Sequence, residues 1–161
     1  MEAAAAHVSP YSGSWYPDRP SELRELLDDL FRDSARRTGS CLIPYAAGFV
    51  VPHAGLVYSG AVAAAAYRHI EAAGIRRVVL LGFPHRGAAP GAWIPEIERF
   101  RTPLGEVAVD QEAACNLLVS GAFGSLPEEV LCDHSVEIQL PLLQRAVPEA
   151  AVVPIYVSLL D

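Results

Sequence analysis

Two apolar runs that each break at a Gly/Pro turn carrying a histidine constrain this chain more than any other feature. The first is Gly48-Phe-Val-Val-Pro-His53, continuing through Ala54-Gly55 to Gly60; the second is Arg77-Val-Val-Leu-Leu-Gly-Phe-Pro-His85. Between them lies an alanine-rich stretch from Ala61 to Ala73, opened by Ser59 and closed by Gly74, which reads as a tightly packed helix. A continuous apolar run without polar alternation suits a parallel strand covered on both faces. Strand Ala47–Val51, helix and strand Arg77–Gly82 therefore predict a right-handed βαβ crossover. In open α/β sheets the carboxyl ends of the strands line the functional crevice. His53 and His85 are thereby expected to converge at one sheet edge. The other possibility at this level is two loop histidines that only cap strand ends.

The remaining segments fit the same class. Leu23, Leu26, Leu27 and Leu30 recur at helical spacing from Ser21 to Arg32, with Ser21 the expected N-cap after Pro20. Tyr11, Trp15 and Tyr16 sit in a turn-rich leader and are expected to pack onto the body of the domain. Thr38 to Ala46 reads as a connector, and residues 86–109 as loop and short strands. Asp110 is the expected cap of a helix running to Leu118 and ending at Gly121. A further helix is expected from Asp133 towards Ala146, then a buried strand at Ala151–Val157. Together these predict a three-layer α/β/α domain, spanning 1–161, around a mostly parallel or mixed central sheet.

Composition narrows the function. The formal net charge of −7, with the 12 basic residues scattered, argues against nucleic acid, because backbone phosphate calls for clustered Lys and Arg. The 3 cysteines show no Cys-x-x-Cys, which favours a reducing cytoplasmic setting over a disulfide framework. No apolar run reaches membrane-spanning length, so no membrane partner is expected. Gly55-x4-Gly60 lacks the Lys-Ser/Thr of a phosphate loop, and no Gly-x-Ser-x-Gly elbow occurs.

Imidazole suits iron, zinc or copper, so His53 and His85 are candidate metal ligands. His134, in Asp133-His134-Ser135-Val136-Glu137, is the third candidate. Ser135 would cap the helix there, and Asp133 or Glu137 would orient the ring. Its two readings are a plain capping arrangement and a general acid/base facing the metal pocket. Cys132 reads as a soft ligand or as a small buried residue, and Tyr58 and Ser59 as residues in reach of a substrate or as packing.

Five segments taken in order resemble the Memo family, also called AmmeMemoRadiSam system protein B. They are Ser12-Gly-Ser-Trp-Tyr-Pro17, Val51-Pro-His-Ala-Gly-Leu-Val-Tyr-Ser-Gly60, Leu81-Gly-Phe-Pro-His85, Phe100-Arg-Thr-Pro-Leu-Gly105 with Val109-Asp110, and Asp133-His-Ser-Val-Glu-Ile-Gln-Leu-Pro141. The resemblance implies the fold of class III extradiol dioxygenases and a non-haem metal cleft. It makes His53 and His85 ligands, with Fe(II) the first expectation and Zn or Cu open, and it places His134 in the same pocket as the catalytic group. The function it implies is that of a metal-dependent dioxygenase or oxidoreductase. The alternative is a non-catalytic module that binds a small molecule or peptide in the cleft. It also implies a longer family domain that supplies a further Cys, acidic or His ligand. On that reading this is a C-terminally shortened version, expected to homo-oligomerise or to take a partner subunit.

Overall fold

The computed structural model describes residues 6–39, 43 and 46–159, so Cys41 falls outside them. In chain order the elements are β1 (Ala6–Val8), α1 (Pro20–Thr38), α2 (Leu56–Ala73), β2 (Arg77–Gly82), β3 (Ala92–Pro95), β4 (Arg99–Thr102) and β5 (Gly105–Ala108). They are followed by α3 (Gln111–Val119), β6 (Gly124–Leu126), α4 (Glu128–Leu131), α5 (His134–Glu137), α6 (Leu140–Ala146) and β7 (Ala151–Val157). The chain is α/β, with helices on both faces of a mixed four-stranded sheet of order β2-β7-β3-β6. β2 and β7 are parallel, β3 runs antiparallel to β7, and β6 is parallel to β3. Within the 86–109 region β3 joins the main sheet, while β4 and β5 join β1 in a second, smaller sheet of order β1-β4-β5.

β7 explains the layering. Its seven residues are apolar without alternation because both faces are covered. Val152 and Tyr156 join the cluster formed with Leu23, Leu27 and Phe31 of α1, Ala63, Ala64 and Tyr67 of α2, and Leu142 and Leu143 of α6. Val153 and Ile155 point the other way, onto Ile94 and the Ala114, Leu117 and Leu118 face of α3. α1 and α2 approach closely at Gly60, where a Cβ would lie 2.5 Å from Leu30 Cδ1.

The first two helices begin before their expected starts. α1 starts with Pro20 in its first turn and Arg19 at the N-cap, so Ser21 is inside the helix and caps nothing. It continues past Arg32 to Thr38, where Asp33 pairs with Arg36 and Arg37 on the exposed face. α2 begins three residues earlier than Ser59, at Leu56, and ends as expected at Gly74 in the left-handed conformation. Asp110 caps α3 by accepting from the Ala113 N–H at 2.9 Å.

The expected strand Ala47–Val51 does not form. These residues carry no regular structure, and Val50 is fully exposed. The run lies alongside β2 across an apolar groove of about 290 Å³, without joining the sheet. A run with no strand partner among the described residues for its backbone donors and acceptors does not hold as a strand. The expected βαβ unit is therefore incomplete, and β2 is an edge strand covered on one face only. Leu80 is buried, while Val79 and Leu81 are 53% and 69% exposed.

Candidate metal centre

His85 follows the carboxyl end of β2, His53 lies in the irregular segment before α2, and His134 opens α5. The three rings nevertheless meet. One ligand atom from each lies within 4.8 Å of the others. The rings of His85 and His134 stack at 4.2 Å and 28°, and His53 sits 5.3 Å from His85 and 5.5 Å from His134. Convergence of His53 and His85 is thus reached with only one of the two strands expected to deliver it.

His85 and the loop of His53 are held by residues distant in sequence, and His134 lies beside the residue that precedes it. Asp133, almost fully buried, lies with Oδ1 2.9 Å from His85 Nδ1, and its Oδ2 accepts the His85 backbone N–H at 3.1 Å. The same Oδ1 lies 3.2 Å from His134 Nδ1 and accepts from the Ser135 N–H at 2.9 Å. Nδ1 of both rings thus lies against one carboxylate, an arrangement that leaves Nε2 of each as the nitrogen a metal would take. His53 is held through its loop. Gln139 Nε2 donates to the Pro52 carbonyl at 3.1 Å, and the buried Tyr67 hydroxyl donates to Gln139 Oε1 at 3.1 Å. Trp15 closes one side, its ring 4.5 Å from His134, and Tyr11 meets the same imidazole edge-on at 5.7 Å. The aromatic leader does pack onto the body, as expected.

The electrostatics follow from this geometry. Burial opposes ionisation of Asp133, yet the Ser135 N–H and the two imidazoles outweigh it and hold its carboxyl below the usual range. Burial lowers the pKa of His134, and the neighbouring His85 and His53 push it further down against the pull of Asp133. His134 is neutral at pH 7 and its ring can accept a proton.

Other expectations need correcting. Ser135 does not cap α5; Asp133 does. Glu137 does not orient His134. It is fully buried and faces His7, with Oε1 3.1 Å from His7 Nε2, while His7 Nδ1 lies 3.2 Å from Glu128 Oε2. Cys132 is buried outside the imidazole cluster, and burial, aided by Glu137 and Glu128, pushes its thiol well up, which makes it a poor soft ligand. Tyr58 and Ser59 lie on the first turn of α2; Tyr58 is exposed and the Ser59 hydroxyl donates to the Ala54 carbonyl. Sequence reasoning missed His7 as a partner for Glu137. No local signal could have found it, since the two residues lie on different elements far apart in sequence and the burial of Glu137 shows only in the fold.

The donor set fits a transition metal: three imidazole nitrogens, with no carboxylate or thiolate among them. No helix among the described residues is long and apolar enough to cross a membrane.

Comparison with known proteins places these residues in a family context. The family model described as "Memo-like protein" matches residues 8–161. A MEMO1 family protein of Thermoplasma acidophilum is 36% identical over 134 residues, covering 83% of this chain and 48% of that relative. Another, from Methanopyrus kandleri, is 33% identical over 162 residues, covering 93% and 56%. Protein MEMO1 of Danio rerio is 31% identical over 156 residues, covering 94% and 51%. The chain spans about half the length of the curated relatives it matches.

Proposed function

The chain belongs to the Memo-like protein family, and from that premise we propose that it is a non-haem metal protein whose centre is built on His53 and His85, with His134 as the proton-handling group. The observation that carries this reading is the approach of three imidazole nitrogens from three separate segments of the chain to within 4.8 Å of one another. Fe(II) is the metal proposed first, because imidazole-rich sites with open positions suit ferrous oxygenase chemistry; zinc and copper accept the same donors. The reaction class is dioxygenase-like oxidation of a small molecule, by a domain that includes all the described elements, in the cytoplasm.

A bound ferrous ion would supply Lewis-acid activation of a substrate oxygen and electrons for dioxygen. The chain's own residues do the rest. Asp133 fixes the tautomer of His85 by taking its Nδ1–H, which leaves Nε2 as the ligand atom. Neutral His134 takes the proton of a substrate hydroxyl at its ring nitrogen, and Asp133, 3.2 Å from Nδ1, stabilises the imidazolium that forms. Trp15 and Tyr11 shield that ring and offer apolar faces to an aromatic substrate.

One observation favours a second reading, a cleft that binds a ligand or peptide without turnover. The three imidazoles carry no negative charge to offset a divalent ion. The deciding experiment is anaerobic metal analysis of the purified protein beside His53→Ala and His85→Ala. About one transition metal per chain, lost in both variants, is the expected result. Absence of stoichiometric metal in the parent, even after loading with Fe(II), Zn(II) and Cu(II), would overturn the metal reading and leave the binding module.

A further inference from the structure

The turn that carries His85 is moulded by α5 and not by its own sheet. Past the end of β2, Phe83 and His85 are exposed, and a turn so placed would be free to move. Yet each backbone donor from Phe83 to His85 is taken. The Phe83 N–H donates to Ser135 Oγ at 2.9 Å, Pro84 has none to give, and the His85 N–H goes to Asp133. The Ser135 hydroxyl returns its own proton to the Phe83 carbonyl at 2.9 Å. One side chain thus makes both bonds to one residue's backbone, as a neighbouring strand residue would. Close approach is possible because residue 82 is glycine. A Cβ there would lie 2.5 Å from Val136 Cγ2 and 2.6 Å from Ser135 Oγ.

We propose that Ser135 is the positioning residue of this centre. By its paired bonds to Phe83 it sets the height of His85 against His134, and so the spacing of the two Nε2 atoms. The proposal rests on the metal-centre reading for its purpose, but its geometry stands without a metal. Asp133 fixes the orientation and tautomer of His85; Ser135 fixes where the turn sits. The arrangement explains why the serine next to His134 is spared from capping duty. Its hydroxyl faces across 52 residues of chain onto Phe83, while Asp133 serves α5.

The test uses Ser135→Ala in the whole chain, with two readouts. In metal-free protein, NMR contacts between the ring protons of His85 and His134 report their stacking. In the loaded protein, Co(II) titration followed by visible absorption reports affinity and coordination geometry. Loss of the ring contact with the remaining spectrum intact is expected, together with Co(II) affinity lower by about 10-fold or more and an altered d–d band, the usual scale for groups that orient ligands. Persistence of the ring contact in Ser135→Ala overturns the proposal whatever the titration gives. Should Ser135→Ala fail to fold, Ser135→Cys, which keeps the volume and weakens both bonds, is read the same way. A parent protein that takes up no Co(II) would refute the metal reading alone, since the metal-free ring contact still decides the role of Ser135.

Discussion

His85 and Asp133, 48 residues apart, are joined twice: the imidazole Nδ1 and the backbone N–H of His85 each reach a separate oxygen of the one buried carboxylate. This double attachment makes Asp133 the hinge of the site, because it also caps α5 and touches His134. Asp133→Asn keeps the shape and leaves an oxygen for one backbone N–H. If its amide NH2 faces His85 Nδ1, the proton moves to Nε2, which is then no longer a ligand. Metal affinity should fall about 10- to 100-fold, with only about 1 kcal/mol lost from stability. Isothermal titration with Zn(II) and urea denaturation check the two halves separately. Unchanged affinity would show that Asp133 does not set the tautomer.

Much of the fold was legible because its signals are local. The unbroken apolar run of β7, the Asp110 cap of α3 and the Gly74 stop of α2 each follow from a few adjacent residues. The meeting of His53 and His85 was legible as well, since both follow extended runs flanking one helix. Three things were not. The Ala47–Val51 run has strand composition but no strand partner among the described residues, and composition cannot report whether a neighbour is there. Asp133 does face an imidazole, but the cap of α5 is Asp133 and not Ser135, because local capping rules rate serine and aspartate alike and only the distant turn at Phe83 and His85 separates them. Sequence proximity offers Glu137, beside Asp133, to His134, whereas its partner is His7 on β1, far off along the chain.

Adjacent residues of β2 should respond in opposite ways. Leu80 is buried in the main core, and Leu80→Ala should cost about 2–5 kcal/mol through lost burial and the cavity left behind. Leu81 is largely exposed, and Leu81→Lys should change stability by about 0.5 kcal/mol or less. Chemical denaturation of the two variants is sufficient. A large loss in Leu81→Lys would mean that this face is covered in solution.

The support beneath His53 can be cut one bond at a time. Tyr67→Phe removes the hydroxyl that donates to Gln139 Oε1, and Gln139→Leu removes both that acceptor and the donor to the Pro52 carbonyl. The first should cost about 1 kcal/mol and the second about 1–3 kcal/mol, because the Tyr67 hydroxyl is then buried without a partner. Metal affinity should fall more in Gln139→Leu, since only that change frees the loop of His53. Equal affinities in the two variants would show that Pro52 is held by other means.

The pH dependence of stability should carry the mark of His7. Its two ring nitrogens lie near two different carboxylates, and only the protonated ring is attracted to both as a charge. The 3.1 Å approach to Glu137 is not aligned as a hydrogen bond, so the attraction there is that of charge on charge. Burial works against the charged ring, but Glu137 and Glu128 outweigh it and raise the pKa above 6.5. A raised folded-state value means that this contribution is fully present below the unfolded value and is lost as pH climbs through the folded one. His7→Gln, which cannot titrate, should therefore be less stable than the parent by about 3 kcal/mol near pH 6, the usual scale for breaking a buried pair. The gap should narrow steadily from there towards pH 9. Urea denaturation of both proteins across that range measures it, and a gap that stays constant or widens would show that His7 is neutral in the folded chain.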